Sequence, residues 1–151
     1  MPPEIVEMPV HLINRSSRLL TRLGEERLQA LGLAIAQVPV FYALKDGSAL
    51  TQKELARLAK TEQPTMAVLL DRMERDGLIQ RSPNPHDKRS SLISLTRLAL
   101  QKVPAAKEIM QRGNDEALAG FTERETTTLV RLLSRVVRNL DPDVAGNEAE
   151  G

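Results

Sequence analysis

Residues 51–96 read TQKELARLAKTEQPTMAVLLDRMERDGLIQRSPNPHDKRSSLISLT, and this stretch decides the fold. Thr51 and Glu54 have the T-x-x-E spacing of a capping box and open a helix over residues 51–59. Leu55, Leu58 and Ala59 fall at i, i+3 and i+4 on it, turning Gln52, Lys53 and Arg57 outward. Pro64 suits the first turn of a second helix, residues 64–75, because a missing N–H costs little there. Met66, Leu69, Leu70 and Met73 make its inner stripe, and Gly77 ends it. Two short strands, residues 78–82 and 90–95, then flank a loop containing Pro83, Asn84 and Pro85. Helix, turn, helix and charged hairpin is the order of a winged helix. Its second helix can lie in the DNA major groove, and its hairpin can touch phosphates or the neighbouring minor groove.

Working outward, the fold class expected is mainly α with a small β-hairpin wing, the winged helix-turn-helix lying between long N- and C-terminal helices. Residues 1–8, with Pro2 and Pro3, are expected to form an irregular arm. From residue 10 to about 31, Leu12, Ile13, Leu19, Leu20, Leu23, Leu28 and Leu31 recur at helical spacing. Gly32 interrupts them, and a largely apolar second helix over residues 34–44 is expected to be buried, with Pro39 kinking it or lying near its first turn. After the hairpin, a helix over residues 98–118 holds Pro104 as a bend or first-turn residue. A second T-x-x-E box, Thr122 and Glu125, starts a last helix that reaches Leu140. The acidic tail, residues 141–151, is expected to be flexible. The organisation expected is thus one domain over residues 9–140, with its winged helix at about 48–97.

The terminal helices carry more apolar surface than a small middle segment can cover. Packing across a two-fold axis would bury it, and an intramolecular bundle would leave a long seam exposed. A homodimer is therefore expected; symmetric DNA binding needs one as well.

Composition bounds the chemistry. A chain of 151 residues has room for a real core, and 2% aromatic content leaves that core to Leu, Val, Ile, Ala and Met. There is no cysteine, so disulfides, thiolate metal sites and thiol switches within this chain are excluded. With only His11 and His86, neither a metal site nor a cofactor is expected. No long apolar run or leader-like N-terminus points to a membrane, so a cytoplasmic protein is expected. Net charge is +1 overall, yet residues 51–97 hold nine Lys/Arg against six Asp/Glu, a local +3. The hairpin region 78–97 alone is also +3, and phosphate binding needs local rather than global positive charge.

The run Leu50-Thr51-Gln52-Lys53-Glu54-Leu55-Ala56, then Glu62-Gln63-Pro64-Thr65-Met66-Ala67, then Leu70 through Ile79, resembles the multiple antibiotic resistance regulator (MarR) family. The wing segment His86-Asp87-Lys88-Arg89-Ser90 is similar to that family's D-x-R-S pattern, and the likeness covers about residues 10–140. The resemblance implies a homodimer with interlocking terminal helices on palindromic double-stranded DNA. It also implies a transcriptional regulator, most often a repressor, released by a small phenolic or hydrophobic effector.

Carried over by position, the implied DNA contacts begin with Gln52, Gln63, Thr65, Met66, Ala67, Val68 and Arg72 on the two helices. Thr65 and Ala67 stand where members place small or hydroxylated contacts, able to meet a phosphate, a base edge or a thymine methyl. Val68 departs from the family, many of whose members carry a polar or basic base reader there. Lys60 departs from the glycine frequent in such turns. In the wing, the resemblance implies that Arg89 reaches the minor groove or backbone, with Asp87 orienting it or pairing with another arginine, though Asp87 could also be an ordinary turn residue. For Arg81 and Lys88, phosphate contact and plain solvation are both open. An effector pocket near the first, second and fifth helices would bring in His11, Asn14, Arg18 and Tyr42. Tyr42 could equally be a core residue, and Arg18 an interface ion-pair partner.

Two other functions compete. An enzyme finds no support, since the chain has no glycine-rich phosphate loop, nucleophile motif or ligand cluster. A winged helix used only for protein contact is the stronger rival, because fold alone does not settle function. The basic wing favours DNA.

Overall fold

The computed structural model describes residues 3–143, and most of the flexible tail expected from the sequence lies outside the described residues. Two compact units divide the chain, one ending at Gly113 and the other beginning at Asn114. Helix α1 (Pro3–Val6) is a single turn inside the segment expected to be irregular. Helix α2 (Pro9–Gln29) starts on a proline at its first position, where no N–H is needed. Among the described residues no helix is long and apolar enough to cross a membrane.

The second helix differs from the sequence expectation. A 3-10 turn over Ile35–Gln37 precedes α3 (Val38–Leu44), and Pro39 occupies the second helical position, so the proline sits where the helix starts instead of kinking it. The backbone donors ahead of α3 are satisfied from outside the helix. The Ile35 N–H donates to a Glu25 carboxylate oxygen at 3.1 Å, and the Ala34 N–H donates to the Gln37 side-chain oxygen at 3.0 Å. Gln37 is buried, and Val40, Phe41 and Leu44 enter the core, whereas Tyr42 is 43% exposed.

Helix α4 (Gln52–Leu58) opens on the expected capping box. The Glu54 N–H donates to the Thr51 hydroxyl at 3.2 Å, and the Thr51 N–H donates back to the Glu54 carboxylate at 2.8 Å. Lys60 closes the turn to α5 (Gln63–Arg75) with φ +54°, the left-handed region that glycine normally occupies. Gly77, with φ +73°, makes the equivalent turn from α5 into the wing. Strands β1 (Ile79–Pro83) and β2 (Ser91–Leu95) pair antiparallel with Ile79 opposite Leu95 and Arg81 opposite Ile93. Leu50 adds one rung outside them, its N–H donating to the Ile93 carbonyl at 3.0 Å and its carbonyl accepting the Ile93 N–H at 2.7 Å. The core of this unit joins Leu28, Leu44, Leu55, Met66, Leu70, Met73, Leu78 and Ile93, all essentially without water contact.

Helix α6 (Arg97–Ala117) starts at Thr96, whose hydroxyl donates to the Gly77 carbonyl at 2.6 Å and accepts the Ala99 N–H at 3.2 Å. Pro104 lies inside α6, well past its first turn, where it withholds a backbone N–H from the helix and crowds the carbonyl of residue 100. Lys102 of α6 donates to the Leu31 carbonyl at 2.5 Å, meeting the carbonyl end of α2 where a cation is favoured. In the second unit, α7 (Glu123–Leu140) has no buried residue, and its Val130, Val137 and Leu140 are at least half exposed.

Lys60→Gly relieves the left-handed strain and is expected to raise stability by about 0.5–1 kcal/mol, read from the denaturant midpoint at unchanged slope. At α7, hydrogen bonds from the Thr122 backbone N–H and side chain hold the Glu125 carboxyl below its ordinary range. A depressed carboxyl stabilises the fold above its unfolded value, and that contribution is lost as pH falls through the lowered one. The protection factor of the Thr122 amide, its exchange rate divided into the intrinsic rate at each pH, should therefore fall on acidification, and Glu125→Ala should remove that fall.

Candidate nucleic-acid interface

Helix α5 is held along one line. Met66, Leu70 and Met73, at i, i+4 and i+7, are each 0% exposed. Met66 is thus corrected from the set of DNA contacts expected from the sequence, because a side chain wholly inside the core cannot reach a groove. Val68, two residues on, is turned about 200° from Met66 at 3.6 residues per turn and is 72% exposed. Gln63, Thr65 and Arg72 are exposed as well, and Ala67 is half-buried beside them. Gln52 is half-buried at the start of α4, its side-chain amide donating to the Gln63 carbonyl at 3.4 Å, which ties the starts of α4 and α5 together.

The wing is ordered by its own side chains. The His86 N–H donates to the Asn84 side-chain oxygen at 3.0 Å, and the Arg89 N–H donates to an Asp87 carboxylate oxygen at 2.9 Å. Asn84 also donates to the Ser90 hydroxyl at 2.9 Å. The first two are Asx turns, in which a short polar side chain substitutes for a backbone partner. Asp87 therefore shapes the tip through the Arg89 backbone, and the His86, Lys88 and Arg89 side chains stand exposed upon it.

Arg81 is paired with α5 instead of standing free in solvent. It is two residues beyond buried Ile79 on β1 and so shares the strand face turned to α5. Its guanidinium lies 2.9 Å from an Asp71 carboxylate oxygen and 3.4 Å from one of Glu74, with its side chain 28% exposed. One cation thus ties wing to helix and offsets two carboxylates that would repel a phosphate backbone. From the sequence this pairing was hidden, because Asp71 and Arg81 lie ten residues apart across a turn.

Of the residues expected at an effector pocket, Tyr42 lines an apolar crevice of the described chain. The crevice lies between α3 and α6, lined by Leu33, Val38, Phe41, Val103 and Met110, with Tyr42, Lys45 and Lys107 also on it. Its free volume is about 20 Å³, room for little more than one water. Tyr42 lines it, with the Lys45 ammonium 5.3 Å from its ring centre; His11, Asn14 and Arg18 do not. Those three lie on α2, His11 half-buried and the other two exposed. Val103 and Met110 recur at helical spacing in the sequence, and nothing in that spacing separates a crevice from a filled core.

Comparison with known proteins fits this arrangement. The sequence model of the MarR family matches residues 31–90. The HTH-type transcriptional regulator YwoH of Bacillus subtilis is 34% identical over 116 residues, which cover 77% of this chain and 84% of that protein. The chain belongs to the MarR family. Members of the MarR family are transcriptional regulators, not enzymes. The multiple antibiotic resistance protein MarR of Escherichia coli is 28% identical over 129 residues, covering 85% of this chain and 88% of that one. A cysteine-to-serine mutant of Escherichia coli MarR has been solved in complex with operator DNA. That structure superposes with TM-score 0.77 at 28% identity, over 84% of this chain and 91% of that one. The transcriptional regulator SlyA has the same fold, with TM-score 0.81 over 90% of this chain and 96% of that one, at 24% identity. The winged-helix architecture expected from the sequence is thus established.

The Arg81 bridge is measurable. In a double-mutant cycle of Arg81→Ala and Asp71→Ala, the coupling energy from denaturant unfolding should be about 0.5–1 kcal/mol, toward the upper end for exposed pairs because Arg81 is largely covered. A value indistinguishable from zero would mean that the pair does not fix the wing.

Proposed function

We propose that this protein is a DNA-binding transcriptional regulator that acts as a homodimeric repressor on a palindromic operator in the cytoplasm and is released by a small phenolic or hydrophobic molecule. The observation that carries the reading is the outward row of α5, beginning at Gln63 and Thr65, held beside a wing whose tip exposes Lys88 and Arg89. In a winged helix such a row enters the major groove, while the wing cations reach phosphates or the minor groove. The Escherichia coli MarR mutant solved on operator DNA supports the same use of the fold here.

The dimer reading rests on unpartnered apolar surface. Leu12, Leu19 and Leu20 of α2 and Val130, Leu133 and Val137 of α7 are exposed in their own units. A second copy would remove these faces from water, at roughly 25 cal/mol for each Å² covered. It would also supply two readers to one duplex. The effector reading rests on the crevice beside α3. Its apolar wall and the ammonium groups of Lys45 and Lys107 complement a small acidic aromatic molecule. The crevice must widen to admit one, and α3 packs on α4 and β2, so its displacement would be felt by the reading elements.

Titration of the purified protein against the DNA upstream of its own gene, followed by fluorescence anisotropy at two salt concentrations, tests the reading. Nanomolar affinity for one palindromic segment, falling steeply with salt, is the expected result. Arg89→Ala is expected to weaken that binding at least tenfold while leaving the circular dichroism spectrum unchanged. Weak binding, equal on unrelated DNA, would favour a winged helix used for protein contact instead.

A further inference from the structure

We infer that Val68 makes α5 a methyl reader, so that the protein selects half-sites bearing thymine at the position Val68 faces, by packing its methyl groups on the thymine C5-methyl group in the major groove. This rests on the DNA-binding reading above and specifies the base chemistry it uses. Val68 lies almost opposite the buried line of Met66, Leu70 and Met73, and at 72% it is among the most exposed large apolar side chains of the described residues. A β-branched residue in mid-helix lowers helix propensity, and an apolar one there gains nothing from water. An apolar group of the reader's target would cover it.

The neighbours reinforce the same chemistry. Thr65 lies one turn earlier on the exposed side of α5, and Ala67 adjoins, so beyond the Gln63 amide at its start the helix presents methyl groups and one hydroxyl. Short side chains let the helix approach the base edges closely, where thymine alone among the four bases presents a methyl group. Arg72, one turn beyond Val68, is the first long cation on this row and lies where the helix leaves the bases for the backbone. Asp71 and Glu74, which would otherwise repel the duplex on this helix, are both within 3.4 Å of the Arg81 guanidinium. At the position of Val68 the helix offers no side-chain hydrogen bond, so a purine there would be met by no complementary donor or acceptor.

The test uses the full-length protein and a library of random duplexes. Sequences enriched by binding are determined, and each thymine of the enriched half-site is then replaced singly by deoxyuracil, which removes the methyl group and nothing else. At least one replacement should weaken wild-type binding about fourfold, the value of one buried methyl. The same replacement should have a clearly smaller effect on Val68→Ala, whose fold is checked by circular dichroism. Selection repeated with Val68→Gln should move the preference at that position to adenine. Wild-type binding that is indifferent to every uracil replacement overturns the inference. A uracil effect that persists undiminished in Val68→Ala overturns the assignment to Val68 and moves it to Thr65 or Ala67. Enrichment of no sequence at all, with weak binding to every duplex, overturns the DNA-binding reading itself and is recognisable as a different failure.

Discussion

Met66, Leu70 and Met73 leave water completely when α5 seats on the core. Each such burial stabilises by roughly 1.5–3 kcal/mol, so together they outweigh the preferences of the exposed side of the helix. A helix pinned along i, i+4 and i+7 has no remaining freedom to rotate about its axis. Which side chains face outward is then settled by the core: Thr65, Val68 and Arg72 point away because the others cannot. The recognition surface is in this sense a by-product of core packing. That is also why the reading of Met66 as a contact fails, since moving it outward would turn Val68 and Arg72 inward.

Rotation fixed, the angle of the wing is the next variable, set by burial of Leu78, Ile79, Ile93 and Leu95 and trimmed by polar contacts. The alternation of β1 puts Arg81 on the face shared with Ile79, so the guanidinium reaches back to Asp71 and Glu74. Thr96 secures the other end of the hairpin, bonding the Gly77 carbonyl while capping α6. Asn84 and Asp87 then shape the tip through backbone donors. None of these contacts is strong singly, and exposed ion pairs contribute little each. Acting on one short hairpin from three sides, they leave it a single orientation relative to α5.

Much of this was legible in the sequence because it is local. The two capping boxes appear where the T-x-x-E spacing puts them, Gly77 takes the left-handed turn, and the hairpin forms around Asn84 and Pro85, with Pro83 drawn from the expected loop into β1 opposite Ser91. What stayed hidden depends on contacts between distant residues. The Arg81 bridge, the Leu50 rung on Ile93 and the Lys102 bond to Leu31 join positions separated by ten or more residues. The break before α3 was half visible: Pro39 signalled it, but the Glu25 carboxylate that satisfies the Ile35 N–H did not. The effector pocket was least legible. His11, Asn14 and Arg18 were chosen by position in the family alone, whereas a crevice is defined by which apolar side chains fail to meet.

Helix α7 is the feature that a single chain does not explain, for 18 residues with an apolar stripe and no buried side chain are unsatisfied alone. The proposed dimer would join that surface to α5: a second copy would cover the apolar faces of α2 and α7, and the pair would offer two α5 helices to one duplex. Sedimentation equilibrium of the purified chain, alone and then with a bound duplex, tests this most directly. The expected masses are those of two chains free and two chains per duplex, unchanged down to submicromolar concentration. A monomer at micromolar concentration, binding DNA one chain at a time, would contradict it.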